Sequence, residues 1–347
     1  MASAKRARYR TEPVPVSVPK IWPAQDGVAE AVAVLRQGGL VAFPTETVYG
    51  LGARALDATA VGRIFAAKGR PPRHPLIVHV SGEGDARPLA LGWPAAAAFL
   101  SCAFWPGPLT LVVDRADRIP GVVTGGGPSV AIRAPAHPVA RALLAALGEP
   151  IAAPSANRHQ SLSPTTAAHV VAQLGGVIDG VLDGGPCAAG IESTVVDVRC
   201  IPPVILRPGP IDRDALSRVV PGIVAASPRM GDDEQRASPG LARRHYAPRA
   251  RLLLERTKAG AVDAARALAA DGSRVGLVVY PEDDASSESG ALLWRALPCD
   301  PAGYGRAIYR VLHELDDEGA DVIVVLAVPE GEAWRAVADR LERGSSS

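Results

Sequence analysis

The stretch PTETVYGLG, residues 44–52, directly follows the apolar run LVAF at residues 40–43. A short apolar run bounded in this way predicts a buried strand. Pro44 cannot donate a hydrogen bond to a strand ladder, and the glycines let the backbone approach a ligand closely. A strand that ends in hydroxyls, a carboxylate and glycines suits the wall of a pocket, although the same residue types also form plain turns. We therefore predict that a binding pocket begins where this strand ends.

The segments around this stretch alternate between helical and strand patterns. Residues 26–37 carry apolar side chains at helical spacing and stop at Gly38, and residues 57–68 repeat the pattern and stop at Gly69. Because many of the strands are joined by short Gly/Pro-rich loops, we expect an α/β fold with a twisted mixed sheet and flanking helices. The later predicted strands are residues 76–80, 109–113, 130–133, 151–153, 177–182, 194–198 and 204–206.

A second α/β unit is predicted beyond residue 249. Its strands and helices alternate, which is typical of a small three-layer domain with a parallel sheet. The predicted strands are residues 251–254, 275–280 and 322–328, and the predicted helices are residues 259–270, 303–317 and 332–341. The sequence thus predicts a disordered tail (1–19), a first domain (20–218), a linker (219–249) and a C-terminal domain (250–345).

Composition argues against several classes of protein. The chain has 347 residues and a formal net charge of +1, so no overall field attracts nucleic acid or a membrane surface. Its basic start lacks an apolar signal region, and no run approaches the roughly 20 apolar residues of a membrane span. The four cysteines, at positions 102, 187, 200 and 299, have neither metal-ligand nor disulfide spacing. These features predict a cytoplasmic protein with no membrane partner and no protein-held metal.

Lys68 and Arg70 stand at the end of the second predicted helix, in a chain that has only four lysines. The prolines that follow stiffen the loop, and a stiff loop of cations suits phosphate groups. Alternatively, these charges only complement the helix dipole, an effect worth about 0.3–1 kcal/mol. His79 shares one face of its strand with Ile77, where a histidine is more often a core residue than a ligand.

Polar residues also stand near the ends of other predicted strands. The segment TGGGPS, residues 124–129, could bind an anion with its backbone amides or form a flexible turn. Arg133 ends an apolar strand, where we expect it to point into a cleft. Ser155 and Asn157 follow a strand and a proline, where they could bind phosphate or a purine edge or form a turn. Because no Ser-His-Asp series, metal cluster or P-loop is present, we expect catalysis by positioning and charge neutralisation.

Taken in order, these motifs resemble those of the threonylcarbamoyl-AMP synthase family, which has the YrdC-like fold. The resemblance is to the longer form with a second domain, and it covers residues 20–345. It rests on the motifs PTETVYGLG, KGRP, PGPLT, SAN, SPT, EST and RPG, together with the linker motif SPGLARRHYAP at residues 238–248.

The resemblance implies a nucleotidyltransferase that condenses L-threonine, bicarbonate and ATP into threonylcarbamoyl-AMP and pyrophosphate. Its product would serve the tRNA modification threonylcarbamoyl-adenosine through a downstream tRNA threonylcarbamoyltransferase, with direct tRNA contact left open. Lys68 and Arg70 would act catalytically on the phosphates, and Mg²⁺ would be carried by the ATP phosphates. The implied threonine-binding residues are Thr47, His79, Arg133, Ala153 and Ser193, and the implied ATP-binding residues are Arg70, His74, Ser129, Ser155, Asn157, Ser163, Arg207 and Tyr246.

The sequence departs from the family pattern at two places. His74 stands where the family often has asparagine, which puts a nucleotide contact there in doubt. The residues after Asn157 are Arg158, His159 and Gln160, where the family usually has a glycine. We therefore expect no glycine-type backbone conformation at position 160.

The linker is predicted to act at the nucleotide site. Residues 238–248, which include His245 and Tyr246, are expected to cover the nucleotide as a lid.

Two rival functions are considered. One rival is a carbamoyl-adenylate enzyme that uses carbamoyl phosphate, and the linker and the lack of a transferase domain argue against it. The other is a non-catalytic module that binds double-stranded RNA or tRNA, which the near-neutral charge disfavours.

Overall fold

The computed structural model describes residues 18–24, 26–226, 246–280 and 292–345. These residues form two α/β units, each built around its own sheet. Most of the predicted tail and the linker stretch 227–245, which contains His245, lie outside the described residues. No helix in the described ranges combines the length and apolar character needed to cross a membrane.

A large mixed sheet forms the centre of the first unit. Its strands are β1 (Lys20–Pro23), β2 (Val41–Phe43), β3 (Gly50–Arg54), β4 (Ile77–His79), β5 (Leu109–Asp114), β6 (Ser129–Arg133), β7 (Ile151–Ala152), β8 (Gly180–Asp183), β9 (Thr194–Asp197), β10 (Val204–Arg207) and β11 (Val224–Ala225). Within the described residues their order is β1-β8-β2-β3-β7-β4-β6-β5-β9-β10-β11. Because β6 runs parallel to β4 but antiparallel to β5, the predicted mixed sheet is confirmed.

Helices cover both faces of this sheet. They are α1 (Val28–Arg36), α2 (Ala58–Lys68), α3 (Glu83–Ala86), α4 (Ala95–Phe104), α5 (Pro138–Leu147), α6 (Ala167–Leu174) and α7 (Arg213–Val219), with 3₁₀ turns at Arg87–Leu89 and Gly121–Thr124. The Asp57 carboxylate caps α2 by accepting hydrogen bonds from the amides of Thr59 and Ala60. Gly69 ends α2 in the left-handed region, with φ at 63°. Local capping chemistry therefore fixes where Lys68 and Arg70 leave the helix.

Side chains alternate between two cores along β2. Val41 and Phe43 pack with α1 and α5, while Ala42 packs in the larger core with α2. Along β4, Val78 joins the larger core, whereas Ile77 and His79 face the other side. The period-two alternation of a strand therefore turns His79 away from the larger core.

The strand β3 was not predicted, because its two glycines suggested a loop. Gly52 lies inside the strand, where a β-carbon would come within 2.8 Å of the Phe43 ring and 2.9 Å of Ile151. The glycine therefore allows β2, β3 and β7 to pack closely. The strand β8 starts at Gly180 and not at residue 177, because Val177 donates to the Leu174 carbonyl in a turn after α6.

The second unit has a parallel sheet, as predicted. Its strands are β12 (Arg251–Glu255), β13 (Val275–Val279), β14 (Leu292–Ala296) and β15 (Val322–Leu326), and its helices are α8 (Lys258–Ala270), α9 (Pro301–Asp317) and α10 (Arg335–Ser345), the last preceded by a 3₁₀ turn at Glu332–Trp334. The order among described strands is β12-β15-β13-β14. The edge strand β14 was not predicted, because its residues are only half-buried and lack a clear alternating pattern.

The two units share a hydrophobic cluster. Val48, Leu162 and Ile191 of the first unit pack with Tyr304 and Ile308 of α9. The strand β11 extends the first sheet into the segment predicted as linker, because it pairs with β10. This packing brings α9 and α10 next to the loop that precedes β9.

Candidate active site

The carboxyl ends of several strands surround one cavity in the first unit. The cavity and its open mouth together enclose about 510 Å³ of empty space. His79, Arg133 and Arg207 are the last residues of β4, β6 and β10, and the loop after β2 forms another wall. The lining residues are Thr45, Thr47, Val48, Tyr49, Gly50, Arg70, Ile77, His79, Arg133, Ala153, Pro154, Ser155, Glu192, Ser193, Arg207 and Tyr246.

A buried guanidinium fixes one side of the cavity. Arg133 donates from Nη1 to Thr47 Oγ1 at 2.8 Å and from Nε to the Gly107 carbonyl at 3.3 Å. Its Nη2 lies 2.8 Å from Glu46 Oε1 in an ion pair. Because Glu46 also accepts a hydrogen bond from the Ala136 amide, the pair is held from both sides. The arrangement presents a positioned cation to a small anionic group.

His79 lies beside Arg133, because β4 and β6 pair these two residues in register. Its ring meets the Phe43 ring edge-on, with centroids 5.9 Å apart. Burial, followed by the charge of Arg133, lowers the pKa of His79 to about 3. The imidazole is therefore neutral at ordinary pH and offers hydrogen bonding without charge.

The RPG motif holds the EST motif in place. Arg207 donates from Nε and Nη2 to the Ser193 carbonyl at 3.0 and 2.8 Å, and Ser193 Oγ lies 2.7 Å from Thr110 Oγ1. A β-carbon on Gly209 would come within 2.3 Å of the Thr194 amide, so only glycine fits there without a shift. Burial lowers the pKa of the Arg207 guanidinium. The two motifs therefore form one rigid wall.

Lys68 reaches the SAN loop and is not among the residues that line the cavity. Its Nζ donates to the Ser155 carbonyl at 2.6 Å and also to the Asn157 carbonyl. Burial, followed by nearby Arg70, lowers the pKa of Lys68 well below its ordinary value. Asn157 in turn donates to the Ser161 carbonyl at 2.8 Å. The KGRP motif is thus joined to the SAN motif by hydrogen bonds from the Lys68 side chain to backbone carbonyls of Ser155 and Asn157.

The backbone at Gln160 is left-handed, with φ at 70°, so the expectation of no glycine-type conformation there is wrong. A non-glycine residue in this region costs roughly 1–2 kcal/mol. The loop is held by neighbouring bonds, because the Gln160 carbonyl accepts from the Ala247 amide at 3.0 Å and Ser161 bridges to Ala247. Pairing with the chain after Tyr246 therefore imposes the conformation that glycine usually provides.

Three further predicted ATP-binding residues lie outside the cavity lining. The rings of His74 and His159 make an edge-to-face contact, with centroids 5.3 Å apart. Ser129 begins β6 opposite Asp114 and is buried. Ser163 Oγ donates to Glu192 Oε1 at 2.5 Å, one layer behind the cavity wall.

The TGGGPS segment has the internal bonds of a turn. The Gly126 amide donates to the Gly121 carbonyl at 2.8 Å, and the Gly127 amide donates to the Thr124 carbonyl at 3.1 Å. A β-carbon on Gly125 would lie 2.2 Å from the Arg73 carbonyl, so this turn packs directly on the cationic loop. These contacts favour the turn over the anion-binding alternative.

Glu192 is a lining residue that the sequence reasoning missed. Its carboxylate accepts from Arg340 Nε at 2.7 Å and from the Tyr309 hydroxyl at 3.2 Å, both from the second unit. The only sequence signal was its place in the EST motif. Its cation, Arg340, is 148 residues away in the chain, so no local pattern pairs the two.

Tyr246 lies at the cavity in a left-handed backbone conformation, with φ at 63°. The guanidinium of Arg340 lies over its ring at 5.1 Å, and the Tyr309 ring centroid is 6.0 Å away. A hydrogen bond with the Tyr246 side chain raises the pKa of Arg207 against the larger lowering by burial. Strained residues of this kind concentrate at functional sites.

The donor set fits a divalent ion carried by a ligand better than one held by the protein. Among the described residues, no group of three or more His, Cys, Asp or Glu side chains is placed to hold a metal. Glu192, the carboxylate among the lining residues, is paired with Arg340, and Glu46, which lies next to the lining residues Thr45 and Thr47 in the chain, is paired with Arg133.

Comparisons with known proteins agree with this architecture. A family model described as Telomere recombination matches residues 33–209, and one described as Threonylcarbamoyl-AMP synthase, C-terminal domain, matches residues 211–346. Threonylcarbamoyl-AMP synthase of Pyrococcus abyssi is 39% identical, covering 91% of this chain and 93% of that protein. The protein of the same name from Bacillus subtilis is 38% identical, covering 92% of each.

A solved structure extends the similarity to three dimensions. The crystal structure of P. abyssi Sua5 complexed with L-threonine has a TM-score of 0.84 and 38% identity, covering 92% of this chain and 94% of that one. The two family models together span both units, and each of the two relatives also matches over both. The chain therefore belongs to the threonylcarbamoyl-AMP synthase family, in the form that carries the second, C-terminal domain.

Proposed function

We propose that this protein is an L-threonylcarbamoyladenylate synthase, which condenses L-threonine, bicarbonate and ATP into threonylcarbamoyl-AMP and pyrophosphate. The observation that carries the proposal is one cavity in which a paired guanidinium, a neutral imidazole and hydroxyls meet two further cations, Arg70 and Arg207. The complex of the P. abyssi relative with L-threonine supports threonine as one substrate.

Threonine would bind on the Arg133 side of the cavity. The guanidinium would bind the threonine carboxylate, while neutral His79 and the hydroxyls of Thr47 and Ser193 would bind its polar groups. Ala153 provides a small apolar contact beside them. The neutral imidazole matters because a second positive charge at this place would repel the ammonium group of threonine as it binds.

ATP would bind on the opposite side, toward Arg70, Ser155 and Arg207. Tyr246 would cover this side, because it lines the cavity and its side chain is hydrogen-bonded to Arg207. Ser163, Ser129, Asn157 and His74 are not among the residues that line the cavity, so their proposed role is to support the residues that do.

The chemistry needs positioning and charge compensation. The neutral threonine amine would attack the bicarbonate carbon, and the C–OH bond of bicarbonate would break, so that its hydroxide leaves as water with a proton from the amine and a carbamate remains. A carbamate oxygen would then attack the α-phosphorus of ATP as the bond to pyrophosphate breaks. Negative charge then grows on the oxygen that leaves with pyrophosphate. Arg70 would stabilise that charge, and Lys68 would hold the SAN loop that faces the phosphates. Mg²⁺ carried by the phosphates would supply additional neutralisation.

The product would pass to a downstream tRNA threonylcarbamoyltransferase. We therefore place the enzyme in the cytoplasm, where its unstable adenylate product can be transferred to tRNA. Enclosure of the cavity by Tyr246 would protect the adenylate from water.

An omission assay tests the proposal. Purified protein is incubated with ATP, bicarbonate, L-threonine and Mg²⁺, and pyrophosphate release and threonylcarbamoyl-AMP are measured. We expect release only when threonine and bicarbonate are both present. Equal release with carbamoyl phosphate in their place would instead support the carbamoyl-adenylate rival. Tight RNA binding with no adenylate under any condition would support the non-catalytic rival.

A further inference from the structure

One buried carboxylate of the first domain is neutralised by an arginine of the second. The side chains of Glu192 and Arg340 are 7% and 1% exposed, and Arg340 Nε lies 2.7 Å from Glu192 Oε2. Tyr309 of α9 donates its hydroxyl to the same carboxylate at 3.2 Å. Side chains from α9 and α10 thus bind a carboxylate that lines the cavity.

Arg340 also touches the other motifs on that wall. Its Nη2 donates to the Pro208 carbonyl at 3.0 Å, and its guanidinium lies over the Tyr246 ring at 5.1 Å. Through Glu192 it reaches Ser163, whose hydroxyl donates to the same carboxylate at 2.5 Å. A single planar group therefore links the EST, SPT and RPG motifs to the residue that covers the cavity.

The positive charge of Arg340 determines how its contact with Glu192 affects the cavity. Burial by itself lowers the pKa of Arg340, but Tyr246, Glu192 and Asp339 raise it well above the ordinary value, so the guanidinium stays charged. Without that cation, Glu192 would present an uncompensated negative charge to the cavity wall. A triphosphate is strongly anionic, so an unpaired buried carboxylate beside it would oppose binding.

Resting on the proposed function, we infer that Arg340 is a positioning residue of the ATP subsite, which neutralises Glu192 and holds Tyr246 against the nucleotide side. The second domain thus contributes a charge that ATP binding by the first domain requires. Threonine binding should depend on it much less, because the cation proposed for the threonine carboxylate is Arg133, which is paired separately with Glu46.

Four variants of the full-length protein test this inference: Arg340→Met, Glu192→Gln, the double variant, and Arg335→Met as the control. Arg335 is an exposed arginine at the start of the same helix. Dissociation constants for a non-hydrolysable ATP analogue and for L-threonine are measured by calorimetry, together with the midpoint of thermal unfolding.

We expect Arg340→Met to weaken binding of the ATP analogue by about 10- to 100-fold and threonine binding by less than about 3-fold. The double variant should recover most of the lost ATP affinity, because a neutral amide no longer needs a cation. Arg335→Met should match the wild type for both ligands.

Two results would overturn the inference. One is unchanged ATP affinity in Arg340→Met. The other is equal loss of both ligands without recovery in the double variant, which would make Arg340 a purely structural residue. If Arg340→Met does not fold, Arg340→Lys replaces it, and a loss of ATP affinity as large as that expected for Met would contradict charge neutralisation.

The wild-type omission assay separates this inference from the proposed function. Absence of threonine- and bicarbonate-dependent pyrophosphate release in the wild type would reject the proposed function. Normal wild-type release with no ATP defect in Arg340→Met would reject only the role of Arg340.

Discussion

Individual arginines in this protein act as structural clamps as well as charges. Arg133 contacts Glu46, Thr47 and a backbone carbonyl, and Arg207 donates two hydrogen bonds to the Ser193 carbonyl. Both are buried, so their planar donor sets are held in one orientation. Lysine offers a compact point charge and cannot make these simultaneous contacts.

We expect Arg133→Lys to lower threonine affinity by about 10- to 100-fold and to leave ATP affinity nearly unchanged. Lysine keeps the charge but cannot contact Thr47, Glu46 and the Gly107 carbonyl at the same time. Calorimetry with each substrate measures the two affinities. Arg54→Lys is the control, because Arg54 pairs with Glu149 at the partly exposed end of β3. An equal loss in both variants would contradict a specific role for Arg133.

The lowered pKa of His79 predicts that the stability of the protein depends on pH. Its pKa falls from 6.5 to about 3 in the folded state, so folding disfavours protonation. The stability contribution is therefore complete above pH 6.5 and is lost as the pH falls toward 3. Between pH 8 and 5 the wild type should lose about 2 kcal/mol more unfolding free energy than His79→Gln. Urea unfolding at the two pH values measures this, and equal losses would show that His79 does not carry the effect.

Among the elements, the end of α2 organises the SAN loop. The Lys68 ammonium donates to two carbonyls of that loop, and the Lys68 carbonyl accepts from the His159 amide at 2.9 Å. A helix end therefore sets the position of a loop that lines the cavity.

We expect Lys68→Met to reduce turnover by at least about tenfold while threonine affinity changes little. Loss of the ammonium should also increase amide hydrogen exchange in residues 155–161. Steady-state kinetics and exchange mass spectrometry measure the two effects. Near-normal turnover together with unchanged exchange would show that Lys68 only complements the helix dipole.

Left-handed Gln160 predicts a stabilising substitution. Gln160→Gly should raise the free energy of unfolding by about 1 kcal/mol, because removal of the side-chain clash exceeds the cost of glycine flexibility. Gln37→Gly is the matched control, since Gln37 ends α1 at φ −85° and should gain nothing. Thermal unfolding of both variants provides the measurement, and a loss of stability in Gln160→Gly would contradict the strain argument.

The two domains together build the site. Apolar residues of the first domain pack against α9, and the stacked rings of His169 and His313, with centroids 3.9 Å apart, join α6 to α9. Since Glu192 also takes its counter-charge from α10, separation of the domains would expose apolar surface and leave a carboxylate unpaired.

A chain truncated after residue 226, which keeps β11, should therefore fold but make adenylate at least about tenfold more slowly than the full-length protein. Binding of a hydrophobic dye should increase, because Val48, Leu162 and Ile191 become exposed. Truncation after residue 218 would in addition cut α7 and remove β11. Adenylate synthesis at the full-length rate would show that the second domain is dispensable.

The prediction of fold and site succeeded where neighbouring residues carry the information. The apolar spacing of residues 57–68 and the stop at Gly69 placed α2 correctly, and strand alternation turned His79 away from the larger core. It failed for β3, because glycines that allow close strand packing resemble glycines in a loop. It also failed at Gln160, where a backbone pairing with Ala247 outweighs local preference.

Periodicity, capping and turn chemistry act over a few residues, so the sequence alone was enough for the two-domain α/β architecture and for most of the polar segments that line the cavity. Which of those polar residues face the cavity depended on tertiary packing, which directs Lys68 at the end of α2 toward the SAN loop carbonyls and pairs Ser163 with Glu192. The pairing of Glu192 with Arg340 depended on how α10 docks, across 148 residues of chain. A single sequence holds no local signal for such a contact, because any arginine brought near by the fold can neutralise a buried carboxylate.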